Sequence, residues 1–248
     1  MNRAWIDLDP ADVRNMLISL IGYRFGEQPE QRIEDIRAER QDYARSFLNL
    51  AAVRRQQTVL DLGSGCGFGT AEIARRAGRV VACDISPAFL EFARRECAAL
   101  DHVQFHQIEP RNLSVIDGQS IDTVISMSVF IHLNLYDMYA YFEEFRRVLK
   151  PGGTVVFDFA DAHRLFSRFR SHGNDELFRE HAGYYRKDPA ALAGLVQWNS
   201  ARAITLIAAA AGALPKPNRG IPAVSAAWSV KDPRVVTPSA ALVLSGEK

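Results

Sequence analysis

Residues 58–70 read TVLDLGSGCGFGT and residues 80–84 read VVACD, and these two segments decide the fold of the chain. An apolar run too short for a helix leads into a cluster of glycines, and a second apolar run ends in a carboxylate. Glycines permit a sharp turn close to a ligand, and a helix that begins after them offers unpaired N–H groups. The pattern predicts a nucleotide-binding βαβ unit in which Asp84 binds the hydroxyls of a ribose.

The spacing of the glycines distinguishes two kinds of nucleotide site. A dinucleotide fingerprint requires G-x-G-x-x-G, but Phe68 and Thr70 occupy the third glycine position in the two available registers. Residues 61–67 instead read D-x-G-x-G-x-G, which resembles motif I of the class I S-adenosylmethionine-dependent methyltransferases. In that family the glycine turn packs against the methionine and ribose of the donor. The resemblance implies that Asp61, the acid of the motif, reaches the methionine ammonium.

Three further segments extend this resemblance. Residues 121–133 (IDTVISMSVFIHL) are similar to the fourth strand of the family and the loop after it, and residues 150–157 (KPGGTVVF) to its turn into strand five. Residues 103–110 (VQFHQIEP) place Glu109 where the family carries an acid that contacts the adenine amino group. Pro110 departs from the family pattern because it removes a backbone N–H that relatives donate to adenine. The resemblance implies S-adenosyl-L-methionine as the cofactor.

The donor site implied by these matches consists of the glycine loop and the ends of strands two to four. Its members are Asp61, Gly63, Ser64, Gly65, Gly67, Asp84, Ile85, Glu109, Pro110 and Ser126. Asp84 has an alternative interpretation as a helix cap before Pro87, since capping and ribose binding compete for the same oxygens. We favour ribose binding, with Ser86 as the cap. Ser126 is expected to line the pocket through its backbone, the alternative being plain packing.

Methyl transfer depends mainly on alignment, because the sulfonium carries its own leaving group. A hydroxyl acceptor also needs a base. The candidates are His132 after strand four, Asp158 and Asp161 at the end of strand five, and His163 beyond it. Each has a structural alternative. His132 could be a packed histidine, Asp158 could bind backbone groups at the strand end, and the Asp161–His163 pair could be a helix cap. We rank His132 first because imidazole titrates near neutral pH, and we predict no metal site, since no second cluster completes one.

Short strands that alternate with helices predict an α/β fold. The resemblance makes it a Rossmann-like, doubly wound, seven-stranded sheet, mostly parallel with an antiparallel last strand. Residues 1–57 carry helical periodicity and are predicted to form an N-terminal cap, and residues 58–248 the methyltransferase domain. An insert at about 163–199 mixes arginines with aromatics, which favours a substrate lid over a solvated helix. The last two strands are predicted at 226–230 and 240–244.

Composition limits the partners. The chain has 30 basic and 29 acidic side chains and a net charge of +1, which argues against nucleic acid or an anionic membrane as the partner. The N-terminus lacks an apolar signal region, and the longest apolar stretch, 203–214, is broken by Gly212 and too short to span a bilayer. We therefore expect a cytoplasmic protein without membrane insertion. The oligomeric state is left open.

The favoured function is methyl transfer to a small-molecule or glycan acceptor, at oxygen. One alternative is N-methylation of a small molecule, protein or nucleic acid, although residues 126–129 (SMSV) lack the (N/D/S)-P-P-(Y/F/W) motif of amine methylation. A second is an NAD-dependent oxidoreductase, which the glycine register disfavours. A third is a non-catalytic methyltransferase-like protein, suggested by the altered turn at residues 108–110. The sequence does not identify the acceptor.

Overall fold

The fold is described from a computed structural model over residues 8–21, 25–162, 197–215 and 239–246. The predicted strand at 226–230, the candidate His163 and nearly all of the predicted insert lie outside these residues. No helix within the described ranges is long and apolar enough to cross a membrane.

Helices and strands alternate along the chain. In order they are α1 (Pro10–Ile21), α2 (Ile33–Leu50), β1 (Thr58–Leu62), α3 (Phe68–Arg76), β2 (Arg79–Asp84), α4 (Pro87–Glu96), β3 (Val103–Gln107), β4 (Ile121–Ser126), α5 (Leu135–Val148), β5 (Leu149–Asp161), β6 (Trp198–Asn199), α6 (Ala201–Ala210), β7 (Ala213–Pro215) and β8 (Ser239–Gly246). Short 3₁₀ helices at Pro29–Arg32 and Phe130–His132 precede α2 and α5.

The strands form one sheet with the order β3-β2-β1-β4-β5-β8-β7, and β6 pairs with β5 beside this path. The pairs from β3 to β5 are parallel, whereas β8 runs antiparallel to β5 and β7. The prediction of an α/β, Rossmann-like sheet is confirmed. The described residues contain eight strands where seven were predicted: the short strands at 198–199 and 213–215 were not predicted, and the strand predicted at 226–230 lies outside the described residues. The strand order reverses between β1 and β4, which opens a crevice at their carboxyl ends.

Buried strands and capped helices explain why these segments fold as they do. Residues 59–62 of β1 are all buried, as expected for a central parallel strand with helices on both faces. Ser86 begins α4 as predicted, since its hydroxyl accepts a hydrogen bond from the Phe89 N–H at 3.3 Å. Ser200 does the same for α6 through the Ala203 N–H at 3.1 Å.

The two N-terminal helices pack onto the β1–α3 region. On α2, Phe47 is buried against Val59 of β1 and its neighbours. On α1, Leu17 is fully buried in a cluster that includes Cys66 and Phe68, which flank the last turn of the glycine loop. Apolar contacts therefore hold α1 and α2 over the glycine loop.

Candidate functional site

A cleft of about 1300 Å³ opens at the carboxyl ends of β1, β2, β4 and β5. Its walls come from the glycine loop, the first turn of α4, the loop after β4, and the inward faces of α1 and α2. Its position coincides with the reversal of strand order, where open α/β sheets bind their ligands.

The glycine loop forms the floor of the cleft. Gly63 has a φ of +78°, and a Cβ atom there would lie 2.1 Å from Cγ2 of Val129. Gly65, with a φ of +53°, also lines the cleft, whereas Gly67 packs against α4, where an added Cβ would lie 2.8 Å from the Ala93 Cα. Gly63 therefore permits the close approach of Val129 from the loop after β4, Gly65 keeps this part of the floor free of a side chain, and Gly67 permits close packing against α4.

Asp84 is held at the edge of this loop. Its Oδ2 accepts a hydrogen bond from the Gly65 N–H at 2.8 Å, and its Oδ1 accepts one from the Ser86 N–H at 2.9 Å. Burial raises the pKa of the Asp84 carboxyl, and these backbone hydrogen bonds oppose the shift. Each carboxylate oxygen has a second acceptor site. Asp84 can thus orient the loop and still accept hydrogen bonds from ribose hydroxyls.

Apolar side chains surround the part of the cleft beyond Asp84. Ile85 lines it and is 55% exposed, which is unusual for a large aliphatic side chain. Ile108, Pro110 and Val129 also contribute to the lining. The face of a flat aromatic ring such as adenine can pack against these surfaces.

Four residues of the predicted donor site are not part of the cleft lining that the described residues form. Glu109 is exposed at the surface. Ser126 is fully buried and donates its hydroxyl hydrogen to the Leu62 carbonyl at 3.0 Å. Gly67 supports helix packing, as described above, and Asp61 lies buried beneath the loop.

Asp61 is 1% exposed. Its Oδ2 accepts a hydrogen bond from the Thr70 hydroxyl at 2.6 Å, while its buried Oδ1 has no hydrogen-bond partner in the described part of the chain. Burial raises the pKa of the Asp61 carboxyl to about 7, the Thr70 bond opposes this shift, and Asp84 adds to it. The hydroxyl of Ser64, which lines the cleft, is also buried without a described partner. The Ser64 hydroxyl can thus receive a polar ligand in the cleft, whereas Asp61 keeps a spare acceptor oxygen beneath the cleft floor.

Two of the candidate bases lie in the cleft wall. His132 ends the 3₁₀ helix after β4 and lines the cleft. Asp158 also lines it, but its Oδ2 accepts a hydrogen bond from the Tyr43 hydroxyl at 2.8 Å and its Oδ1 accepts one from the Ser128 N–H at 2.7 Å. Burial raises the pKa of the Asp158 carboxyl, and both hydrogen bonds lower it. Asp161 is buried at the end of β5 outside the cleft lining.

The sequence analysis missed Arg40, Tyr43 and Ser128, which all line the cleft. A signal for Arg40 was present, because Ile36, Arg40, Tyr43 and Phe47 follow helical spacing and Arg40 interrupts an otherwise apolar face. Ser128 carried no such signal. Its φ of +62° is rare for a residue with a side chain.

Within the described ranges, no group of three or more His, Cys, Asp or Glu side chains is placed to hold a metal ion.

Comparison with known proteins finds a matching domain model and related sequences. Residues 59–153 match the family model of a methyltransferase domain. A demethylmenaquinone methyltransferase of Tropheryma whipplei is 30% identical over 128 residues, which cover 51% of this chain and 52% of the relative. A ubiquinone biosynthesis O-methyltransferase of Nitrosococcus oceani is 27% identical, and the match covers 63% of this chain and 64% of the relative. The chain thus spans about half to two thirds of the length of these curated relatives.

Solved structures show the same fold. One is a complex of the Haloferax volcanii Trm112 methyltransferase activator with a methyltransferase, which matches with a TM-score of 0.62, 20% identity, and coverage of 94% of this chain and 97% of that one. Geranyl diphosphate C-methyltransferase from Streptomyces coelicolor, solved with geranyl diphosphate and S-adenosyl-L-homocysteine, matches with a TM-score of 0.58 and 15% identity over 83% of this chain and 76% of that one. Residues 59–153 of the chain therefore match a methyltransferase-domain model, and the chain shares the fold of these solved methyltransferases.

Proposed function

We propose that the chain transfers the methyl group of S-adenosyl-L-methionine to a hydroxyl group of a small-molecule or glycan acceptor bound in the cleft. One observation carries the proposal: the glycine loop and Asp84 are joined by the Gly65 N–H hydrogen bond at the floor of the cleft. This hydrogen bond places Asp84, which can accept hydrogen bonds from ribose hydroxyls, beside a floor that is free of side chains. This arrangement suits a nucleoside whose remaining groups extend over the loop.

The donor is proposed to lie along the cleft from Ile85 to the loop after β4. Its adenine packs against Ile85 and Pro110, its ribose binds Asp84, and its methionine ammonium pairs with Asp61, the buried acid with an oxygen to spare. We also propose that α1 and α2 act as the cap of this site, since both contribute to the cleft lining. A cytoplasmic location and the absence of a resident metal remain predictions.

Of the two proposed acceptor classes, a largely apolar small molecule with a reactive hydroxyl fits the cleft lining better than a glycan. Met16, Phe89, Met127, Ile131 and Leu133 line the cleft, and burial of such surfaces against an apolar acceptor favours binding. The name of one relative, a ubiquinone biosynthesis O-methyltransferase, supports a hydroxyl group on an apolar acceptor. His132 is the proposed base, since it lines the cleft, whereas both Asp158 oxygens already accept hydrogen bonds.

Donor binding is tested first, by titration calorimetry with S-adenosyl-L-homocysteine. Asp84→Ala should raise the dissociation constant about ten- to a hundred-fold, because charge-assisted hydrogen bonds to the ribose are lost. Asp101→Ala is the matched control, since Asp101 is fully exposed away from the cleft. An unchanged constant for Asp84→Ala would remove this carboxylate from the site.

The acceptor and the base are tested by transfer of a labelled methyl group to a panel of hydroxylated aromatic compounds, quinols and glycans. With a responsive acceptor, His132→Ala should lower the single-turnover rate by about 10²–10⁴-fold with little change in donor affinity. A wild-type rate in His132→Ala would contradict the assignment of His132 as base. Transfer only to amines would contradict the hydroxyl acceptor.

A further inference from the structure

The loop between β4 and α5 carries His132, the proposed base. It contains the 3₁₀ helix Phe130–His132, in which the His132 N–H donates a hydrogen bond to the Val129 carbonyl at 2.9 Å. Carbonyl groups at the end of such a helix have no partners inside the helix. The carbonyls of Ile131 and Leu133, one on each side of His132, can therefore accept hydrogen bonds from another part of the chain.

Residues 197–199, which we call the strap, supply these hydrogen bonds. The Gln197 N–H donates one to the Ile131 carbonyl at 2.7 Å. The Asn199 side-chain amide donates one to the Leu133 carbonyl at 3.0 Å and another, at 3.2 Å, to the Gln197 carbonyl within the strap. The strap thus holds the loop on both sides of the proposed base.

The strap is itself fixed to the sheet. It contains β6, which pairs in parallel with the end of β5, where Asn199 lies opposite Asp161. Directly after it, the Ser200 hydroxyl caps α6. Asn199 is only 8% exposed, and its amide nitrogen, which has two hydrogens, donates the two hydrogen bonds described above. The strap therefore connects a strand of the sheet to the loop.

The two ends of the loop have anchors of their own. Phe130 is fully buried, and its ring centroid lies 4.5 Å from that of Phe157 in β5. At the other end, the Asn134 side-chain oxygen accepts hydrogen bonds from the N–H groups of Tyr136 and Asp137 and begins α5. These anchors fix the ends of the loop, whereas the strap holds the residues next to the proposed base.

We propose that Asn199 is a positioning residue for His132. By donating to the Leu133 carbonyl, it fixes the backbone from which the imidazole extends. A general base must lie within hydrogen-bond reach of the proton that it removes, and a displacement of about 1 Å can lower the rate about a hundredfold. The inference rests on the proposed function, in which His132 is the base.

A double-mutant cycle tests this role by transfer of a labelled methyl group to a responsive acceptor from the panel of hydroxylated aromatic compounds, quinols and glycans. Asn199→Ala should lower the single-turnover rate about ten- to a hundred-fold, while the dissociation constant for S-adenosyl-L-homocysteine changes by less than about threefold. In the His132→Ala background, Asn199→Ala should lower the rate no further, because Asn199 acts through the imidazole. Equal losses in both backgrounds would overturn the proposal, since a purely structural role does not depend on the base.

Ser200→Ala is the matched control. It removes the cap of α6 one residue after Asn199 and so disturbs the same region, but it leaves the hydrogen bonds between the strap and the loop in place. It should lower the midpoint of urea unfolding and keep the wild-type single-turnover rate. A rate loss in Ser200→Ala as large as that in Asn199→Ala would overturn the positioning role, because it would show that the region matters only for folding.

Nuclear magnetic resonance tests the orientation of His132 without donor or acceptor, and it decides where no compound of the panel is methylated. Three-bond couplings should show one χ1 rotamer of His132 in the wild-type chain and in Ser200→Ala, and averaged rotamers in Asn199→Ala. If Asn199→Ala does not fold, the wild-type chain replaces it. One χ1 rotamer and a scalar coupling across the hydrogen bond from Asn199 Nδ2 to Leu133 support the proposal, and averaged rotamers or a missing coupling overturn it.

Failure of the proposed function gives a different result. If His132→Ala keeps the wild-type rate, His132 is not the base, and the positioning role of Asn199 fails with it. If His132→Ala is slow and Asn199→Ala is not, the base is supported and only the positioning role is refuted.

Discussion

Binding of the donor should weaken as the pH falls through 7, because Asp61 must be ionised to pair with the methionine ammonium. Asp61 has one oxygen bonded to Thr70 and one buried oxygen without a described partner. Its pKa, raised by burial to about 7 in the unliganded chain, means that a proton must leave before the ammonium can pair with the carboxylate. The ammonium favours the ionised form, so the donor lowers this pKa again and binding releases a proton at acidic pH.

The size of the effect follows from the fraction of ionised Asp61. With a pKa of about 7, roughly a tenth of the chains are ionised near pH 6 and about nine tenths near pH 8, so the dissociation constant should differ about tenfold between them. Calorimetry with S-adenosyl-L-homocysteine at both pH values measures this ratio. Since 5′-methylthioadenosine lacks the ammonium but keeps the ribose, its pH dependence reports Asp84 alone, and the difference between the two ligands reports Asp61.

Asp61→Asn is the matched variant. It should remove the additional pH dependence of S-adenosyl-L-homocysteine. It should also raise the Tm of the unliganded chain near pH 8. An acid whose pKa is higher in the folded than in the unfolded state destabilises the fold as the pH rises from the unfolded-state pKa to the folded-state pKa, and the amide removes this loss. If the affinity ratio of the two ligands stays constant from about pH 6 to pH 8, Asp61 does not pair with the ammonium.

Two further variants test the walls of the cleft. Gly63→Ala should lower the free energy of unfolding in urea by about 2–4 kcal/mol, because an added Cβ meets Val129. The control Gly152→Ala has the same φ of +78° but open space around it, and it should lower that free energy by only about 1 kcal/mol. Equal losses in the two variants would rule out the clash as the cause. Asp158→Asn should keep the hydrogen bond from the Ser128 N–H and a near-wild-type affinity for S-adenosyl-L-homocysteine. Asp158→Ala leaves the Ser128 N–H unpaired and should lower the free energy of unfolding by about 1–3 kcal/mol. A large loss of affinity in Asp158→Asn would show that the negative charge of Asp158 is required.

The nucleotide-binding core could be predicted from sequence because its signals are local. Motif I and the carboxylate at Asp84 place the turn and the end of β2 by short-range rules. The ends of the elements were less predictable: residues 150–157 were interpreted as a turn that leads into strand five, whereas β5 itself extends over Leu149–Asp161. These ends depend on tertiary contacts and on pairing with neighbouring strands, which local patterns do not encode.

The upper wall of the cleft could not be predicted in the same way. Arg40 donates its hydrogen bond to the Ser128 hydroxyl only when α2 docks over the sheet, and Ser128 adopts its left-handed backbone where Asp158 accepts a hydrogen bond from its N–H. Both contacts join residues far apart in the chain. A charged residue on an apolar helical face was the one visible sign, and periodicity alone cannot tell which ligand or side chain such a residue faces.

The polar groups around the proposed donor site are satisfied unevenly. Asp84, Asp158 and Ser126 have hydrogen-bond partners within the chain, yet the Arg40 Nε, the Asp61 Oδ1 and the Ser64 hydroxyl are buried and lack described partners. Folded proteins leave few such atoms, because each costs about 1–3 kcal/mol. One of the three carries a positive charge and one is an ionisable acid. A ligand with an ammonium group that reaches Asp61 would satisfy the acid, and its binding would therefore stabilise the folded chain.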